Sequence, residues 1–150
     1  MTHSLSQFAT DLMKIVVGTD LFQREVMEKA CVIVETEAKR VIGTYDYDWA
    51  PLAESTREQR VKLGFSEDEP LLRTGALRDS IEHRVETEHI GLEVVGLVGT
   101  DNEIAKYQEL GTRTIPPRSF LGEAAMHKEE EIHELFGSAM HAQVLLGLKP

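Results

Sequence analysis

The stretch L-L-R-T-G-A-L-R-D-S-I-E-H-R-V-E-T-E (residues 71–88), continued by L-E-V-V-G-L-V-G-T-D (residues 92–101), decides the fold. Up to Ser80 it reads as a tight helical turn with Thr74 as its cap and Gly75 where the bend needs a glycine. At Ile81 the period changes. Ile81, His83, Val85 and Thr87 alternate with Glu82, Arg84, Glu86 and Glu88, the pattern of a half-buried strand. His89-Ile90-Gly91 supplies a turn. Residues 92–98 read as a second strand, apolar on nearly both sides, expected inside a sheet or beneath a partner. The two runs predict an antiparallel hairpin.

Working towards the C-terminus, Asp101 or Asn102 caps a two-turn helix that runs to Leu110, with Gly111 as its terminal glycine. Residues 112–117 form an exposed loop stiffened by Pro116 and Pro117. Ser119 begins a long helix to about residue 146, with Leu121, Ala124, Ala125, Ile132, Leu135, Phe136 and Ala139 on one face and the run from Lys128 to Glu131 solvated. Gly137 is expected to mark a bend or a close packing contact.

Towards the N-terminus, residues 4–17 read as a first helix, capped by Ser4 or Ser6 and ended by Gly18. Leu5, Phe8, Leu12 and Ile15 form its apolar stripe. Residues 20–42 read as the strongest helix of the chain, with Met27, Ala30, Cys31, Val34, Ala38, Val41 and Ile42 on one face. Cys31 is therefore expected to be a buried structural thiol. Residues 44–70 are irregular. Ser55-Thr56-Arg57-Glu58 has capping-box spacing for a short helix, and the acidic run at 64–70 is expected to be exposed and mobile. Tyr45, Tyr47 and Trp49 are either interface anchors or residues folded back onto the core, the second being favoured.

These elements predict one α+β domain over residues 1–150: a small antiparallel sheet, the central hairpin, packed against long N-terminal and C-terminal helices. Its size suffices for an independent core, since a chain of this length buries roughly 70% of its unfolded surface. Hydrophobic residues make up 41% and charged residues 28%, ordinary for a globular protein. No apolar run approaches the ~20 residues that span a bilayer, and no signal-peptide pattern opens the chain. The single cysteine excludes an internal disulfide and fits a reducing cytoplasm. With 16 basic against 26 acidic residues and a net charge of −10, tight nucleic-acid binding is disfavoured, because phosphate neutralisation dominates that affinity.

Catalytic chemistry is not legible. The six histidines make no His-Glu-x-x-His pair. Glu130-x-x-His133 has half the spacing of a di-iron site, but its one counterpart, Glu86-x-x-His89, falls on a strand end. There is no nucleophile elbow and no phosphate loop. No cofactor and no metal are expected.

A further set of residues carries a resemblance: Trp49-x-Pro51-Leu52, the Arg/Lys-rich turn after Ser55, Leu72-x-Thr74-Gly75-x-Leu77-x-x-Ser80-Ile81, and Val98-Gly99-Thr100 before a helix containing Ala105 and Tyr107. Leu110-Gly111-Thr112 and Ile115-Pro116-x-Arg118-x-Phe120-Leu121 complete it. In this order the chain resembles the tail-completion, or virion-morphogenesis, proteins that join heads to tails in tailed bacteriophages. The resemblance implies a non-enzymatic virion protein made in the bacterial cytoplasm. It implies a ring, often six-fold in related neck and tail-end proteins, around a channel through which genome DNA passes without tight binding. Other connector and tail proteins are the implied partners. In such rings a sheet is extended between subunits and loops meet the next ring. Carried over, the hairpin 81–98 is a candidate subunit contact, with Glu82, Arg84 and Glu93 on it. Residues 113–118 are a candidate docking loop, with Arg113, Ile115 and Arg118 on it. Thr74, Gly75, Gly111, Pro116, Pro117, Phe120 and Leu121 form the structural motif. Two competing readings are an acidic adaptor that binds a basic protein partner and, more remotely, a small enzyme built from scattered acids and histidines.

Overall fold

The structure, a computed structural model, describes residues 5–88 and 93–147, with side-chain detail for 21–87, 93–143 and 145. The turn expected at His89-Ile90-Gly91, the Ser4 cap and the side-chain stripe from Leu5 to Ile15 lie outside these. Eight elements follow in order: α1 (Leu5–Val41), α2 (Glu54–Lys62), α3 (Ala76–Asp79), β1 (Glu82–Glu88), β2 (Glu93–Gly99), α4 (Glu103–Leu110), α5 (Gly122–His127) and α6 (Glu129–Gly147). The architecture is α+β, with helices flanking an antiparallel hairpin.

The two N-terminal helices expected from the sequence are one. The 37 residues of α1 make a rod about 55 Å long at 1.5 Å per residue, and Gly18 lies within it. A glycine inside a helix costs about 1 kcal/mol against alanine, which an already nucleated helix absorbs.

The hairpin packs on α1. Its register pairs Glu82 with Gly99, Arg84 with Leu97, Glu86 with Val95 and Thr87 with Val94. Alternation therefore turns His83, Val85, Thr87, Val94, Gly96 and Val98 to one face and Glu82, Arg84, Glu86, Val95, Leu97 and Gly99 to the other. The first face meets the helix. A Cβ on Gly96 would lie 2.5 Å from Cys31 Sγ and 2.7 Å from Met27 Sδ, so glycine here sets how closely strand and helix approach. Arg24 Nη1 donates to Thr87 Oγ1 (2.8 Å). The His83 ring sits between two α1 carboxylates, Nδ1 bonding Glu35 and Nε2 bonding Glu28 at 2.8 Å. Those carboxylates, Glu35 first, favour the imidazolium and raise the His83 pKa. Cys31 is buried, as its place on the apolar face implied, and burial pushes its thiol pKa up, with Glu28 and Glu35 adding to the effect.

The main core lies at the C-terminal end of α1. Val41, Ala38, Phe120 and Ala124 have no exposed surface, and Ile81, Ile42, Leu77, Trp49, Ala105 and Tyr47 close around them. Tyr47 and Trp49 are thus core residues, with Tyr45 packed beside them. Tyr47 meets Trp49 edge-on (5.7 Å) and stacks on His127 (4.3 Å, 5° between planes). Its hydroxyl donates to the buried Glu37 carboxylate (2.9 Å), which also takes both arms of Arg40 (2.9 and 2.7 Å). The Arg40 bonds outweigh burial and hold the Glu37 pKa down to about 2.

Several local expectations are corrected. Helix α2 starts at Glu54 after Ala53, and Ser55 makes no cap; with Ser55 already in the first turn, its spacing to Glu58 is only helical. The acidic run at 64–70 is exposed as expected at Gly64, Ser66, Glu67 and Asp68, but it is tied down. Pro70 is fully buried and its carbonyl accepts from Gly43 N (2.8 Å). Tyr45 donates to Asp68 (2.6 Å), Arg57 pairs with Glu67 (2.7 Å), and buried Arg60 binds the carbonyls of Ser66 (2.7 Å) and Leu72. The residue at the N-cap of α3 is Gly75, at φ 87°, and the Thr74 hydroxyl adds an acceptor for Ala76 N (3.3 Å).

The C-terminal helix is broken at Lys128 (φ −101°, ψ 4°). The short α5 is held by Ala124 in the core and His127 on Tyr47, and α6 follows it, packed against α1. Gly137 is not a close packing contact, since nothing lies within 4 Å of a Cβ built there, and α6 continues through it. Ala125 is exposed, whereas Ile132, Leu135, Phe136 and Ala139 are half-buried. The strand β2 does not lie inside a sheet: among the described residues the sheet has two strands, and α1 covers one face of it.

Candidate assembly surfaces

Two surfaces bring together the residues singled out by the sequence. The first is the hairpin's outer side. Glu82 and Arg84 stand exposed on β1, with Arg84 Nε paired to Glu86 (3.0 Å). Opposite them on β2, Leu97 is 40% exposed and Val95 half-buried, and Glu93 faces Glu88 at the end of the ladder. An apolar strip thus runs along β2, flanked by charge. Each strand of a two-stranded sheet leaves an outer row of backbone N–H and C=O groups without ladder partners, a template for a further strand.

The second surface is the loop after α4. Asn102 caps that helix, its side chain accepting from Ile104 N (3.0 Å), and Gly111 ends it at φ 72°. A Cβ on Gly111 would sit 2.8 Å from Pro117 N and 3.0 Å from Ile115 O, so both the dihedral and the space demand glycine. The loop then closes on itself. Thr112 N donates to Ile115 O (2.8 Å), and the Thr112 hydroxyl accepts from Thr114 N (3.3 Å) and Ile115 N (3.1 Å). This leaves Arg113, Thr114, Pro116 and Pro117 exposed and Ile115 half-buried.

Arg118 is not on that outer surface. It is 5% exposed, and its guanidinium donates to the carbonyls of Ala50 (2.9 Å) and Pro51 (3.5 Å). Its backbone N–H donates to Gln108 O (2.6 Å). It clamps the loop to the 49–52 segment, and no acid pairs with it among the described residues. Desolvation lowers its pKa. The reason it turns inward is that the extended segment at Ala50-Pro51 presents carbonyls with no helix or strand to satisfy them.

Sequence reasoning missed Glu109. Its carboxylate accepts from Ser119 Oγ (2.6 Å) and from the backbone N–H groups of Phe120 (2.8 Å), Leu121 (3.0 Å) and Gly122 (2.8 Å). It therefore caps α5 from another helix, where Ser119 alone was expected to begin the helix. With Glu109 and Arg118 fixing the loop's return, the proline segment is pre-organised, and a rigid loop loses little entropy when it docks. Phe120, fully buried, is the plug beneath it.

Among the described residues no cluster of three or more His, Cys, Asp or Glu could hold a metal. No described helix is long and apolar enough to cross a membrane. A protein-family model described as "Bacteriophage HK97-gp10, putative tail-component" matches residues 6–111, which take in α1, the hairpin and α4. No curated protein and no solved structure gives a significant match.

Proposed function

Starting from a chain that belongs to the HK97-gp10-like family of bacteriophage tail components, we propose that it completes or terminates the tail at the head–tail junction. Subunits close into a ring around the DNA channel, the sheet of each being continued by the next. The observation that carries this is the hairpin itself: two strands on α1 with no third strand among the described residues, and Leu97 exposed beside half-buried Val95. The 112–117 loop, pre-organised and exposed, is the docking element towards an adjoining connector or tail protein. The acidic balance of the chain suits a channel that DNA traverses without sticking.

The test is Leu97→Lys. A lysine on an exposed edge strand opposes strand-to-strand pairing, and the site is open enough to leave the fold intact. The mutant protein is expected to run as a monomer in light scattering at concentrations where the parent forms a closed oligomer, with an unchanged circular-dichroism spectrum. Equal oligomer mass for both proteins would remove the hairpin from the subunit contact.

A further inference from the structure

We propose that the cleft of about 740 Å³ between the 51–65 segment, the turn before α3 and the 114–118 loop is a docking site for a partner protein's acidic, apolar peptide segment. Its size is in the range of cavities that take up small ligands and inserted side chains.

The charge of its lining is the reverse of the chain's. In a protein with 26 acids and a net charge of −10, no Asp or Glu lines this cleft, yet Arg60, Arg73 and Arg118 do. Elsewhere Arg40, Arg57, Arg78 and Arg84 each pair with a carboxylate. The three cleft arginines have no acidic partner among the described residues. Arg73 lies over the Phe65 ring (4.7 Å). Arg60 is committed to backbone carbonyls. Arg118, 5% exposed, keeps a buried Nε with no hydrogen-bond partner. Its other bonds go to the neutral carbonyls of Ala50 and Pro51, so no described anion offsets this buried cation.

The remaining lining is largely apolar, with Leu52, Phe65, Ile104 and Ile115 prominent. A carboxylate flanked by apolar side chains completes both parts, the charge meeting the exposed Arg73 near the buried Arg118 and the side chains meeting Phe65 and Ile115. Nucleic acid is the poorer occupant. Two of the three guanidiniums are already bonded to protein carbonyls, and a polyanion needs a row of free cations on a surface that does not repel it.

The probe is a blocked peptide of alternating Glu and Leu, titrated into the full chain while the Nε–H signals of Arg73 and Arg118 are followed by nuclear magnetic resonance. Both signals are expected to shift saturably. Arg73→Glu and Ile115→Asp, at accessible positions, are each expected to weaken binding by roughly tenfold, as loss of a charge-assisted or apolar anchor does. The folded state of each variant is checked by circular dichroism. Absence of shifts at millimolar peptide, equal binding of a Lys-Leu peptide, displacement by an oligothymidylate, or unchanged affinity in both variants would each overturn the proposal.

Discussion

Replacing Phe120 with alanine is expected to lower the stability of the chain by about 3–5 kcal/mol, the range for truncating a fully buried aromatic residue. Phe120 has no exposed surface and packs among Val41, Ile81, Trp49 and Ala124, which come from four separate stretches of chain. Its backbone N–H is held by Glu109 (2.8 Å), so the site cannot collapse freely into the space left behind. Urea unfolding followed by Trp49 fluorescence measures the loss. A change below about 1.5 kcal/mol, the usual cost of a tolerated core swap, would mean that Phe120 does not hold the core together.

A second large effect is expected at Gly96. Valine there would drive side-chain carbon into Cys31 Sγ and Met27 Sδ, since even a Cβ falls 2.5 and 2.7 Å from them. Overpacking of this kind costs typically 1–3 kcal/mol. The strand cannot slide by one residue to escape, because that would turn Val94 and Val98 away from the α1 face and bring Val95 and Leu97 onto it. The hairpin is therefore expected to lift from α1, seen as faster amide hydrogen exchange across β1 and β2. Gly99→Val is the control, since nothing lies within 4 Å of a Cβ at that position. Equal exchange in the two variants would show that the hairpin is not seated on Gly96.

What the sequence disclosed follows from where its signals are local. The hairpin was legible because Ile81 to Glu88 alternates with period two and one register alone buries His83, Val85 and Thr87 against a helix. Gly111 was legible because a helix end needs a positive φ. The break at Lys128 was not, because it is set by His127 stacking on Tyr47, a contact across 80 residues. The continuity of α1 through Gly18 was not, because a glycine stops a helix only where nothing sustains it. Glu109 was invisible for a similar reason. Its four donors are 10 to 13 residues away and reach it only after the loop has closed. Arg118 reads as a docking residue from its place beside two prolines, yet the unsatisfied carbonyls of Ala50 and Pro51 draw it inward.

The place proposed for this tail component is the junction of head and tail. The most direct test is electron microscopy of lysates from the parent phage with this gene deleted. Filled heads separated from tails, or tails of abnormal length, are expected, with infectivity restored by the gene in trans. Joined, normal and infectious particles in its absence would contradict it.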